Sequence, residues 1–464
     1  MLTVFMEYKV SPDFIQLYES QMDSVINELK ASGASDIQWY RAADQPSLYV
    51  ECFQVNDQAT YDTIKKNRTS LQHPVFSILD ECVTGGLEKI HCWAFEKLNT
   101  SLNDSYVKQF QDHLLTWYNE NKRTLPWREN QDPYRVWVSE IMLQQTRVDT
   151  VIPYFERFTQ LFPTLQDLAY ADEEKVLKAW EGLGYYSRVR NLQTAVKEVC
   201  ESYGGKVPNT PKEIAGLKGV GPYTAGAVLS IAYGIPEPAV DGNVMRVLSR
   251  ILLIEEDISK PKTRVLFEKA VRELISHEDP SSFNQALMEL GALICTPKSP
   301  ACLLCPMREL CRGFESGRQA ELPVKLGKTK VRKAKMTAGV LLNHDGEILI
   351  HKRPSEGLLA NMWEFPNTEY VGEHKDAEVE ALVGYVQEQT DFGAVVEEKA
   401  GYIEHVFSHL KWEIQIWQGK IESEDDLEQL PADWKWVRVD ELENYPFPVS
   451  HQKIILLIKE ALIV

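Results

Sequence analysis

Two carboxylates and four thiols are the groups of this 464-residue chain whose surroundings point to chemistry. Glu140 stands in Ser139-Glu-Ile-Met-Leu-Gln-Gln-Thr146, with Val136, Trp137, Ile141 and Leu143 around it. Burial among such neighbours disfavours the ionised carboxyl and raises its pKa, which suits a general acid. Asp241, in Val240-Asp-Gly-Asn-Val244, comes sixteen residues after the last residue of Leu217-Lys-Gly-Val-Gly-Pro-Tyr-Thr-Ala225. There Gly219 and Gly221 form a tight turn before an apolar helix expected to begin at Thr224, and Pro211 opens the helix before it. A glycine turn on a helix N-terminus leaves N–H groups unpaired at the positive end of the dipole. Such a turn seats a phosphate and holds a nucleic-acid backbone without reading sequence.

Cys295, Cys302, Cys305 and Cys311 follow the spacing C-x6-C-x2-C-x5-C and place half of the eight cysteines within seventeen positions. Clustering of this kind in a cytosolic chain indicates metal over disulfides, and an all-thiolate set suits zinc or a [4Fe–4S] cluster. Lys298, Arg308 and Arg312 interleave with the cysteines and would present cations to phosphates. Cys52, Cys82, Cys92 and Cys200 read as buried thiols.

The elements that must position these groups fall into a multidomain chain. Residues 1–98 alternate as strand, helix, two strands, helix and strand, with a long second helix over Thr60–Leu79, which predicts a ferredoxin-like α+β domain. Its form is similar to small α+β barrels of the antibiotic-biosynthesis monooxygenase type, and it is read as an interaction or dimerisation domain. Residues 101–313 are all-α, a succession of helical periods separated by turns such as Gly182-Leu-Gly184 and Gly204-Gly205. Residues 314–335 form a basic linker ending in Lys325-Leu-Gly-Lys-Thr-Lys-Val-Arg-Lys-Ala-Lys335, and residues 336–464 return to α/β structure with a hairpin around Asp345-Gly346.

A hydrophobic fraction of 44% and charged fraction of 25% are those of a globular protein, and no apolar run is long enough for a membrane span. The N-terminus lacks the basic and apolar regions of a signal peptide, so a cytoplasmic location is expected. The net charge of −18 excludes bulk coating of nucleic acid, but the acid is concentrated in residues 336–464 and residues 101–313 are near neutral.

On the cysteine spacing, the glycine turn and the Glu140 segment, residues 101–464 resemble adenine DNA glycosylases of the MutY type. These helix-hairpin-helix, iron–sulfur enzymes remove adenine mispaired with 8-oxoguanine. The resemblance implies a [4Fe–4S] cluster on the four cysteines, and duplex DNA with A:8-oxoguanine or A:G mispairs as partner. It implies that Glu140 protonates the departing adenine, that an ionised Asp241 stabilises the sugar cation, and that Asn243 and Tyr223 support them. Tyr223 stands where endonuclease III-type enzymes carry the lysine that forms a Schiff base and cuts the strand, so a monofunctional glycosylase is implied. Leu125-Pro-Trp-Arg128 matches the segment lining the base pocket, with Trp127 for stacking and Arg128 for polar contact, and Gln285 matches a polar residue of that pocket. Gln145, Thr146, Leu183 and Tyr185 match residues that wedge into the base stack and touch 8-oxoguanine. The C-terminal domain resembles the Nudix fold, but Glu378–Gly393 lacks the Arg-Glu-x-x-Glu-Glu array that binds magnesium. It is expected to recognise 8-oxoguanine through Phe407, Ser408 and His409, without pyrophosphatase activity.

Overall fold

The computed structural model describes residues 2–96, 102–327, 331–372, 374, 376–422 and 430–462. Residues 97–101 at the first domain boundary and Lys328–Lys330 of the basic run lie outside the described residues. The chain divides into two compact units, Met1–Leu102 and Asn103–Val464.

The first unit runs β1 (Leu2–Lys9), α1 (Ile15–Ala31), β2 (Ser35–Arg41), β3 (Leu48–Val55), α2 (Gln58–Arg68) and β4 (His91–Glu96). Its antiparallel sheet has the order β2-β3-β1-β4, the ferredoxin-like arrangement expected from the element order. Asp57 caps α2 by accepting from Thr60 N at 2.8 Å. The helix stops at Arg68, well short of Leu79; a separate 3-10 turn spans Phe76–Leu79. Arg68, the last residue of α2, has a wholly buried guanidinium paired with the buried Glu51. One face of the sheet packs on the helices through Val4, Met6, Tyr8, Phe53 and their neighbours. The other carries exposed aromatics: Phe5, Trp93, Phe95 and Tyr40. Among the four outlying cysteines only Cys82 is fully buried.

The second unit begins with helices: α3 (Asp104–Asn121), α4 (Pro133–Leu143), α5 (Val148–Leu161), α6 (Leu165–Ala169), α7 (Glu173–Ala179), α8 (Ser187–Ser202), α9 (Pro211–Gly216), α10 (Pro222–Tyr233), α11 (Gly242–Leu252), α12 (Pro261–Leu274), α13 (Pro280–Leu293) and α14 (Arg312–Glu315). Side-chain caps fix several starts, among them Asn103, Asp132, Thr164, Asp172, Thr210 and Asp279. Their shared core runs through Trp137, Phe155, Phe158, Trp180, Val228 and Leu229, all but closed to solvent.

The remainder forms β5 (Arg332–Leu342), β6 (Ile348–Lys352), β7 (Trp363–Glu364), β8 (Asn367–Glu369), α15 (Ala377–Thr390), β9 (Gly393–Val406), β10 (Leu410–Glu422), β11 (Trp434–Val437) and α16 (Val449–Leu462). The sheet order is β11-β6-β5-β10-β9, with β7 on β6 and β8 on β5. The expected hairpin at Gly346 forms, but β5 and β6 pair only at Leu342 and Ile348. Beyond that point β5 pairs with β8 and runs parallel to β10 over eleven residues, so the two hairpin arms diverge. Period-2 alternation supplies both faces: Met336, Ala338 and Val340 pack on one side and Leu341 with Leu382 and Val386 of α15 on the other. Among the described residues no helix is long and apolar enough to cross a membrane.

Candidate active site

The glycine turn is built as its sequence requires, with two adjustments. Thr210 and Pro211 start α9, and Leu217 is buried beneath the turn. Val220 N donates to Leu217 O at 3.1 Å across Gly219, whose φ of 74° needs glycine, and a Cβ there would press on Asn191. Gly221 has an ordinary extended backbone (φ −90°) and serves as N-cap; a Cβ at this position would meet open space. Helix α10 begins at Pro222, earlier than the expected Thr224, because proline is pre-organised for a first helical position. Tyr223 therefore belongs to the first helical turn. Among the described residues, Gly219 N–H and Gly221 N–H have no protein acceptor, as a phosphate seat needs.

That early start turns the Tyr223 side chain into the protein. Its hydroxyl donates to Glu140 Oε2 and lies 3.4 Å from Met288 Sδ. Glu140, Tyr223, Asp241, Asn243, Trp127 and Gln285 line one cavity of about 140 Å³, below the size of ordinary drug-sized pockets and suited to a single small ring system. Glu140 is only 4% exposed, and burial together with the Asp241 charge pushes its pKa up to about 7, against the opposing pull of the Tyr223 hydrogen bond and Arg128. A carboxyl in that range carries a proton near neutral pH and can still release it.

Asp241 is the N-cap of α11. Its Oδ1 accepts from Val244 N at 2.7 Å and its Oδ2 from Asn243 Nδ2 at 2.8 Å. Burial raises the Asp241 pKa as well, while these two hydrogen bonds and Arg246 oppose the rise. The donors face the anion and, with the α11 dipole, favour its charge. Arg246 Nη2 in turn holds Asn243 Oδ1 at 2.8 Å.

The base-pocket residues come together around the cavity. Trp127 lines the cavity but sits in the core, edge-on to Phe155 at 5.5 Å. Gln285 donates to Ser281 Oγ at 3.2 Å. Arg128 forks onto Glu289, with Nη1 3.3 Å from Oε1 and Nη2 3.0 Å from Oε2, while its buried Nε has no partner among the described residues. Glu289 was missed in the sequence. Burial alone would raise its pKa, yet Arg123 and Arg128 hold it down to about 2, a fully charged clamp on the pocket wall. Arg188 was missed too: it ties the end of α4 to the loop between α7 and α8 through Ile141 O at 2.8 Å and Gly184 O at 3.1 Å. Both look like solvated helix charges in the sequence, since their partners lie far along the chain.

On the other side of the site, Gln145 (φ 59°) and Tyr185 (φ 50°) both occupy the left-handed region without being glycine, a strain that collects at functional loops. Both are exposed, whereas Leu183 is only 7% exposed and packs into the helical core, so it does not stand out as a wedge. Thr146 lines the cavity mouth. The Tyr185 hydroxyl is 2.9 Å from Ser408 Oγ. Phe407 is packed edge-on against Trp412 at 5.0 Å, which leaves Ser408 and His409 exposed at the tip of the turn closed by Phe407 N and Leu410 O at 2.7 Å.

The four cysteines line a second, apolar cavity with Arg250 and Leu290. Their thiols stand around a shared space, which fits a [4Fe–4S] cluster in which each cysteine meets its own iron. The buried Arg250 donates to Cys295 Sγ at 3.3 Å and to Thr296 O at 2.8 Å, a cation suited to thiolates. Lys298, Arg308 and Arg312 are exposed on this loop.

Three family models match the chain. Residues 138–273 match the HhH-GPD superfamily base excision DNA repair protein, residues 295–311 the iron–sulfur binding domain of endonuclease III, and residues 337–457 the NUDIX domain. The adenine DNA glycosylase of Rattus norvegicus is 35% identical over 408 residues, 76% of this chain and 78% of its own length. That of Schizosaccharomyces pombe is 35% identical over 402 residues, 73% of this chain and 87% of its own. Of solved structures, a thermostable thymine-DNA glycosylase aligns over 46% of this chain and 98% of its own, at 29% identity and a TM-score of 0.42. By these relatives and domains the chain belongs to the adenine DNA glycosylases, iron–sulfur enzymes of base excision repair with a C-terminal Nudix-like domain.

Proposed function

We propose that this glycosylase is a cytoplasmic, monofunctional enzyme that excises adenine opposite 8-oxoguanine or guanine in duplex DNA. One observation carries the reading: Tyr223 binds Glu140 inside the cavity that also holds Asp241. The adenine leaves the stack and enters between Trp127, Arg128 and Gln285. Glu140 gives its proton to the base as the glycosidic bond lengthens. Asp241, held by Asn243 and Val244 N, stabilises the developing sugar cation until water adds. Gly219 and Gly221 seat the backbone phosphate. Tyr223 is a phenol and no lysine lines the cavity among the described residues, so no Schiff base forms and the strand stays intact.

Cys295, Cys302, Cys305 and Cys311 would hold the [4Fe–4S] cluster, which when bound pins the loop and its cations beside the phosphates. Gln145, Thr146 and Tyr185 meet the opposite base, with Ser408 and its neighbours Phe407 and His409 reading the altered edge of 8-oxoguanine. The C-terminal domain reads and does not hydrolyse, because α15 ends in Gln387-Glu-Gln-Thr390 where magnesium would need paired carboxylates. For the first unit, the exposed Phe5, Trp93 and Phe95 support pairing with a second copy through the sheet, which gel filtration with and without residues 1–101 tests.

The decisive assay incubates the protein with duplexes carrying A opposite 8-oxoguanine. Alkali-labile sites with no strand cut before alkali are expected. Cutting of a thymine-glycol duplex with A:8-oxoguanine left intact would overturn the assignment.

A further inference from the structure

The loop Arg353–Met362, between β6 and β7, is shaped to dock. Leu359 holds a φ of 58°, a backbone that persists for a branched residue only where surrounding contacts over-determine it, and Asn361 beside it holds 61°, which asparagine tolerates. Its ends are tied by Arg353 N to Met362 O at 2.9 Å and Asn361 N to Pro354 O at 3.2 Å. The Arg353 guanidinium braces it from within, on Leu358 O at 2.9 Å and on both oxygens of the buried Glu364 at 2.8 and 2.9 Å.

The loop ends in a peg. Met362 is fully buried, yet it packs with the core of the helical module rather than with the sheet that carries it; Leu359 touches both. Carboxylates of α7 ring the peg. Glu174 Oε1 accepts from Lys352 Nζ at 2.7 Å and from Trp363 Nε1 at 3.2 Å. Glu173 Oε1 accepts from Asn361 Nδ2 at 2.9 Å and from Arg190 Nε at 2.7 Å, and Arg190 Nη2 reaches on to Ser355 O at 2.9 Å. An apolar plug bordered by charge-assisted hydrogen bonds resists both separation and sliding.

We propose that Met362, Glu173 and Glu174 are positioning residues for recognition of the base opposite the adenine. They hold the C-terminal module so that Ser408 stays beside Tyr185, and thereby set the preference for 8-oxoguanine over guanine without touching DNA. This rests on the 8-oxoguanine reading above. Among the described residues the active cavity is lined only by residues between Arg123 and Ala292, so the chemical step does not need the peg. The reading contact spans two modules and a hydrogen bond fails within a fraction of an ångström, so discrimination does need it.

The test uses the full chain and single-turnover excision from A:8-oxoguanine and A:G duplexes. Glu174→Lys sets like charges against Lys352 and is expected to lower the ratio of the two rates about tenfold, with the A:G rate within about threefold of the parent. Glu174→Lys combined with Lys352→Glu restores the ion pair but not the acceptor for Trp363 Nε1, and it brings the ratio back at least halfway on a logarithmic scale. Met362→Ala shifts the ratio in the same direction as Glu174→Lys. A parent ratio near one overturns the 8-oxoguanine reading and this one together. A high parent ratio that both single variants retain, or equal slowing on both duplexes, overturns the positioning role alone.

Discussion

The hydroxyls of Tyr185 and Ser408 meet at 2.9 Å, joining loops 223 positions apart. Tyr185 is held for this contact. Its backbone is left-handed, its carbonyl accepts from Arg188 N at 2.9 Å, and the Arg188 guanidinium lies 5.3 Å from its ring centre. An exposed phenol on a braced backbone suits the stack-entering role proposed for Tyr185, and the hydroxyl it meets belongs to the module proposed to inspect the lesion.

Ser408→Ala removes one neutral hydrogen-bonding group, worth about 1 kcal/mol, or roughly fivefold. The A:8-oxoguanine rate should fall by about that factor while the A:G rate holds, measured under single turnover. Because Ser408 is exposed, the melting temperature should not move.

In the proposed role Glu140 gives up a proton, which it carries only below its pKa of about 7. Excision should decline as pH rises through that value. The Tyr223 hydrogen bond lowers this pKa by favouring the anion, so Tyr223→Phe should carry the descending limb to higher pH as it slows the reaction. A pH–rate profile of the two proteins decides; an unshifted limb would detach Tyr223 from the proton.

The same shift has a stability consequence. Glu140 has a raised folded-state pKa, so its favourable contribution is complete below pH 4.5 and is lost as pH climbs through about 7. Glu140→Gln cannot ionise, and it should melt above the parent at pH 8, by up to about 3 kcal/mol of relieved desolvation, with little difference at pH 4.5. Thermal melts at both pH values check this, and the variant should bind the mispaired duplex without releasing adenine.

Gly226 is where α10 meets the segment leading to Asp241. A Cβ there would overlap the Pro238 carbonyl, which is backbone and cannot rotate away. Gly226→Ala should cost about 2–4 kcal/mol and displace Asp241, so both the melting temperature and the excision rate fall. At Gly221, where a Cβ meets open space, Gly221→Ala should leave the melt unchanged and weaken DNA binding only.

Element order, the glycine turn, the four-cysteine loop and the chemical identity of Glu140 and Asp241 were legible in the amino-acid sequence. These are local properties: side-chain period, capping residues, proline and glycine placement, and motif spacing all act within a few residues. Even so, periodicity placed the start of α10 at Thr224, since an apolar pattern does not register the proline at its first turn. What those groups do to one another follows from the packed fold. Tyr223 reaches Glu140 across 83 positions, Glu289 takes two arginines from more than 160 positions away, and Met362 leaves its own sheet to fill another module's core. Each of these depends on burial and on which distant donors share a low-dielectric space. A pKa near 7, a clamped pocket wall and a docked reading loop are properties of that space, and no window of sequence contains it.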